Sequence, residues 1–130
     1  MVYQKILVPV DGSDHSKRAM QEAIKLARMT QGTITLLHVT PGKHSVSQPA
    51  NNGQDILDEG KKIVQTEGVK AETILLEGKV VEDIVRVAKE GAFDLIIIGA
   101  RGLSKFEELV LGSVSHGVTE KAPCPVIVTR

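Results

Sequence analysis

The sequence predicts one doubly wound α/β domain, a five-stranded parallel sheet with helices on both faces. Three observations predict it. Short runs rich in Val, Ile and Leu alternate with segments of helical periodicity, the pattern of parallel strands joined by right-handed crossovers. One run, Leu95-Ile96-Ile97-Ile98, is apolar at four successive positions, which requires burial on both faces of its strand. The 130 residues, 42% of them hydrophobic, suffice for one core and not two, so a single domain is expected over 1–130.

The first strand is read from Lys5 to Val10. Asp11-Gly12 then turns the chain, and Ser13 has the chemistry of an N-cap. Met20, Ala23, Ile24 and Ala27 follow at i, i+3, i+4 and i+7, the buried stripe of a first helix. The second strand runs from Thr33 to Val39, and Thr40 to Gln54 reads as a mobile loop because of its length and its Gly, Pro, Ser and Asn content. A second helix, Asp55 to Glu67, has sparse apolar positions at Ile56, Ile63 and Val64. Its central Gly60 costs about 1 kcal/mol relative to Ala. The third strand is Glu72 to Leu76, and Val81, Ile84, Val85 and Ala88 mark the third helix. Asp94 to Ile98 forms the fourth strand. A fourth helix opens at Ser113 and stops near Lys121, because Ala122 precedes Pro123 and is disfavoured in helical dihedrals. Val126 to Thr129 is the fifth strand. The strand order 3-2-1-4-5 is adopted because it sets the two most unusual loops side by side, at the switch point between strands one and four where such sheets bind ligands.

Composition excludes several functions. Lys plus Arg equals Asp plus Glu, 16 against 16, so no net field draws the chain to nucleic acid or an anionic membrane. Tyr3, Phe93 and Phe106 are the only aromatics, too few to stack the bases of a single strand. Cys124 is the only cysteine, which rules out an internal disulfide and fits a reducing compartment. No stretch has the length of a signal or membrane-spanning segment, and a cytoplasmic location is expected. His15, His38, His44 and His116 show no metal-ligand spacing. His38 is read as structural, and Cys124, between two prolines, as a packed connector. No Walker pattern occurs, and no catalytic residue is assigned.

Two loops carry the chemistry. In Pro9-Val10-Asp11-Gly12-Ser13, Asp11 is either a turn residue or an acceptor for a ligand hydroxyl or amine. The second is Gly99-Ala100-Arg101-Gly102, followed after nine residues by Gly112-Ser113-Val114-Ser115. Glycines let backbone amides approach an anion. The first turn of the fourth helix has no Asp or Glu, so an external anion can meet the positive end of its dipole. The alternative is that Gly99 and Gly102 serve a tight turn and Ser113 is a cap. Arg101 is either a phosphate ligand or a solvated loop residue.

The Gly-x-x-Gly-x9-Gly-Ser pattern, with Pro9 to Ser13, His38-Val39 and Ala122-Pro123-Cys124-Pro125-Val126, resembles the universal stress protein family over essentially the whole chain. The resemblance implies a flavodoxin- or Rossmann-like, adenine-nucleotide α-hydrolase-like domain of the branch that binds ATP. It implies that Pro9, Val10 and Asp11 lie against the adenosine, with Val39 lining the adenine pocket. Gly99, Arg101 and Gly102 would border the ribose and phosphates. Gly112, Ser113, Val114 and Ser115 would hold the phosphates, with Mg²⁺ or Mn²⁺ held mainly through them. The Thr40 to Gln54 loop is either a cover for the nucleotide or a spacer.

The leading expectation is an ATP-binding regulatory or stress-response protein with at most slow hydrolysis. Its main competitor is a dimeric stress-response module of the same fold that binds no nucleotide physiologically. A nucleotidyl- or phosphoryl-transferring enzyme is a third reading, but the His-x-x-His and Ser-Gly-Gly-x-Asp-Ser signatures are absent. A phospho-accepting receiver domain is opposed by Glu77-Gly78 and Thr129-Arg130 at the ends of strands three and five. A homodimer is expected through Val126–Thr129, an apolar strand with no later element to cover it.

Overall fold

The computed structural model describes residues 3–42, 52–101 and 112–130. Strand and helix alternate throughout: β1 (Lys5–Pro9), α1 (Asp14–Thr30), β2 (Thr33–Pro41), α2 (Asn52–Thr66), β3 (Lys70–Gly78), α3 (Val80–Glu90), β4 (Leu95–Gly99), α4 (Ser113–Lys121) and β5 (Val126–Thr129). The five strands form one sheet in the order β3-β2-β1-β4-β5. Every pairing is parallel, with Lys5 opposite Thr33, Ile6 opposite Leu95, Thr33 opposite Lys70 and Ile96 opposite Val126. This is the predicted doubly wound fold and the predicted order.

The period of two along a strand divides each apolar run between the two faces of the sheet, both packed within the one domain. Ile6, Val8, Leu95 and Ile97 face α1 and α2, where they meet Met20, Ala23, Ile24, Leu57 and Val64. Leu7, Ile96 and Ile98 face the other way, toward Ile84, Val87 and Ala88 of α3 and Val118 of α4. The four-residue apolar run is needed because β4 is covered by helices on both of its faces.

Element bounds differ from the sequence reading for local reasons. β4 begins at Leu95 because the Asp94 carboxylate turns to accept the backbone amides of Gln4 and Lys5, each at 3.1 Å. β3 is longer at both ends, and its added residues Lys70 and Glu77 are exposed. β2 takes in Thr40 and Pro41, and α2 takes in Asn52 to Gln54, so both ends of the expected loop are regular structure. Residues 43–51 lie outside the described residues. Gly60 has a packing reason in α2: a Cβ there would come within 2.8 Å of Leu36 Cδ1, so the glycine lets the helix sit close to the sheet. Leu57, Gly60 and Val64 are the buried stripe.

Candidate functional site

β1 and β4 are adjacent and parallel, so their carboxyl ends open side by side. The turn after β1 is built by its own side chains. Gly12 has φ +84°, a conformation that strains any other residue. Asp11 Oδ1 accepts the Ser13 amide at 2.9 Å, and Ser13 Oγ accepts the Ser16 amide at 3.2 Å, which confirms Ser13 as the N-cap of α1. Ser16 Oγ donates to the Ser13 carbonyl at 3.0 Å. With Asp14 in its first turn as well, α1 starts with its positive end already satisfied.

The start of α4 is different. Its N-cap is Gly112, with no side-chain cap, and its first turn holds no acidic residue. The first turn of any helix leaves amides without an intrahelical acceptor, here those of Ser113, Val114 and Ser115. Ala100, just beyond β4, anchors this end. Its carbonyl accepts the Gly112 amide at 2.7 Å and the Ser115 hydroxyl at 2.7 Å, while its own amide donates to the Thr129 carbonyl of β5 at 2.6 Å. One residue thereby joins β4, β5 and the N-terminus of α4.

The predicted residues divide into groups. Pro9 and Val10 are buried at the end of β1, where the Val10 amide donates to the Leu37 carbonyl at 2.8 Å. Val39 is also buried but belongs to the core on the α3 and α4 face. Gly99 is buried beneath α1: a Cβ there would lie 2.7 Å from the His15 carbonyl carbon, so this glycine permits the first turn of α1 to rest on β4. Ser115 is only 2% exposed with its proton committed to Ala100, whereas Ser113 is exposed. Val114 packs partly against the α3 and α4 core. Arg101 is partly exposed just past β4, and Gly102 lies outside the described residues.

A cavity of about 270 Å³ opens between α1 and α2. Its walls include Gly12, Lys17, Met20, Ile56, Glu59 and Ile63, and it meets the predicted site only at Val10 and Asp11. The sequence reading missed it because it depends on how two helices splay over the sheet. Ala100 was also missed, since nothing in an alanine's chemistry marks it as a junction. His38 is buried, 8% exposed, and its Nδ1 lies 2.7 Å from the Val10 carbonyl.

Among the described residues no group of three His, Cys, Asp or Glu side chains is arranged to hold a metal, and no helix is long and apolar enough to cross a membrane.

The model of the Universal stress protein family matches residues 2–130. The chain is 34% identical to Universal stress protein YxiE of Bacillus subtilis, an alignment covering 99% of this chain and all of that one. The fold is similar to that of a universal stress protein from Archaeoglobus fulgidus solved in complex with dAMP, with a TM-score of 0.81, 29% identity and full coverage of both chains. A universal stress protein solved in complex with cAMP matches with a TM-score of 0.80 and 26% identity, over 100% of this chain and 99% of the other. With the predicted strand order in place and the family's sequence pattern matched from end to end, the chain belongs to the universal stress protein family.

Proposed function

We propose that this protein binds an adenine nucleotide, ATP with Mg²⁺ or Mn²⁺ carried on its phosphates, at the carboxyl ends of β1 and β4. Its role on this reading is regulatory, in a stress response, with hydrolysis slow because no activated water-positioning acid is assigned there. The observation that carries it is the contrast between the two helix starts. α1 is capped by Ser13 and carries Asp14, whereas α4 offers its first amides with a glycine cap and no acid. Such an end favours an anion. The adenine ligands of two structural relatives support a nucleotide as that anion. His15 Nδ1, buried and without a hydrogen-bond partner among the described residues, leaves polar capacity unmet in the turn of α1 that abuts β4. In this reading Pro9, Val10, Asp11 and Val39 lie at the adenosine end. Gly99, Arg101 and Gly112 to Ser115 lie at the phosphate end, with backbone amides and the Ser113 hydroxyl supplying the donors. We further propose a homodimer through β5, an edge strand whose Ile127 is 41% exposed.

A second reading has its own observation. Gly99, Gly112 and Ser115 each have a packing role, against His15 and Ala100, that would hold the site together in a protein that binds no nucleotide. Ser113→Asp separates the two. The exposed acid at the start of α4 should stabilise the fold by about 0.3–1 kcal/mol through the helix dipole. It should also weaken Mg·ATP binding by calorimetry at least about tenfold, because it occupies the place of the phosphate charge. Wild-type protein that takes up no ATP, ADP or AMP would leave the nucleotide-free module as the function.

A further inference from the structure

We propose that His38 is a positioning residue of the nucleotide site, acting through the Val10 carbonyl and matched by the absence of a side chain at Gly53. The inference rests on the nucleotide reading of the β1 and β4 ends.

Val10 is the last residue of β1's course that β2 holds, and it is held at both polar groups. Its amide donates to the Leu37 carbonyl at 2.8 Å. Its carbonyl, where the chain leaves the sheet to turn through Asp11 and Gly12, has the His38 ring nitrogen Nδ1 at 2.7 Å. A carbonyl can only accept, so Nδ1 carries the proton, and the neutral ring is the Nδ1–H tautomer with its lone pair on Nε2. The next residue, Asp11, spends Oδ1 on the Ser13 amide and has its own amide 3.4 Å from Ser16 Oγ. Asp11 thus sits between two anchors, the start of α1 on one side and the Val10 carbonyl that His38 holds on the other.

The far edge of the ring is fixed in turn. Its Cδ2 and Nε2 face Gly53 in the first turn of α2, where a Cβ would lie 2.5 Å and 3.1 Å from them. Gly53 is buried, and Leu75 Cδ1 closes the same gap at 2.9 Å from that Cβ position. Any larger residue at 53 would press on the ring. His38 thus spans from the start of α2 to the carbonyl before Asp11, and a change at either end reaches the adenosine end of the site.

Two side-chain amides test which nitrogen matters. The amide nitrogen of Asn reaches the position of Nδ1, whereas that of Gln reaches the position of Nε2. His38→Asn should keep Mg·ATP affinity within about threefold of wild type, while His38→Gln and His38→Leu should each lose about tenfold, the scale of one buried hydrogen bond left unmade. Gly53→Ala should weaken binding in the wild-type background. It should cost little in the His38→Asn background, where the smaller side chain leaves room for the added methyl, a coupling read by a double-mutant cycle. Asn and Gln variants that bind alike would overturn the proposal while leaving the nucleotide reading intact. Absence of ATP binding in the wild type would instead remove that reading, and this inference with it. The wild-type imidazole provides a test that needs no variant to fold: nitrogen-15 spectra should show the Nδ1–H tautomer of His38 with resonances that move on adding Mg·ATP. The Nε2–H tautomer would sink the proposal.

Discussion

Ser113 and Ser115 stand two residues apart in one helical turn, and the fold gives them opposite roles. Ser115 is buried with its hydroxyl proton on the Ala100 carbonyl, and Ser113 is exposed. Both have the same donor chemistry, so their sequence could mark the turn as an anion site but could not say which hydroxyl faces outward. That depends on how α4 is rotated against the end of β4, which Val118 in the core decides. Cys124 shows what a residue's neighbours do to its chemistry. It packs partly against the α3 and α4 core, and burial first, then the Asp94 carboxylate, push its thiol above the ordinary cysteine range. The thiolate is the reactive form, so iodoacetamide at pH 8 should alkylate native protein more slowly than the urea-unfolded chain. Because the pKa is raised in the folded state, the native protein holds this proton more tightly than the unfolded one. Its contribution to stability is complete below the unfolded thiol's pKa, about 8.5, and is lost as pH rises through the folded value. Denaturation midpoints of wild type should therefore fall more steeply above pH 9 than those of Cys124→Ala. Equal alkylation rates in the native and unfolded states would show that neither burial nor Asp94 governs the thiol.

At the scale of elements, the ends carry more information than the middles. α1 ends on Gln31 at φ 58°, a left-handed position more often taken by glycine, with its amide on the Ala27 carbonyl. The Gly32 amide reaches the same carbonyl at 2.9 Å. A side chain in that conformation costs roughly 1 kcal/mol. Gln31→Gly should raise stability by about that amount and the melting midpoint by roughly 4 °C. No gain in a thermal melt would mean that the exposed Gln31 side chain compensates through contacts of its own. The element order was legible in the chain because unbroken apolar runs marked β1 and β4 and the 3.6 period was clean in α1 and α3. The less legible parts have physical reasons. β3 lies at a sheet edge and mixes Lys70, Glu72 and Glu77 with its apolar residues, so only its centre read as a strand. Gly60 argued against α2 as a helix, yet it is what lets α2 approach Leu36. Asp94 read as the start of β4 and instead caps the start of β1 from the neighbouring strand, a contact between residues ninety apart that no local pattern contains.

The whole molecule presents two sheet edges that differ in chemistry. β3 exposes Lys70, Glu72 and Glu77 on one edge, and charges along an edge discourage pairing with another sheet. β5, on the other edge, has no charge in Val126–Thr129, and its Ile127 is 41% exposed although the residues on either side are half-buried. Burying that isoleucine against a second copy would recover part of the roughly 1.5–3 kcal/mol that full burial of such a side chain is worth. A two-fold pairing of β5 with itself would also satisfy the backbone groups along its outer side. Light scattering at micromolar concentration should then give twice the chain mass of 14.0 kDa. Ile127→Lys, which places two like charges across the axis, should give the single-chain mass. The substitution sits two residues before Thr129, whose carbonyl receives the Ala100 amide, so the junction that holds α4 is left in place. The monomeric variant should accordingly keep the wild-type response to Mg·ATP, which separates the edge's role in association from the site's role in binding. A wild-type chain that is monomeric under these conditions would remove the dimer and leave Ile127 as an exposed residue of an uncovered edge.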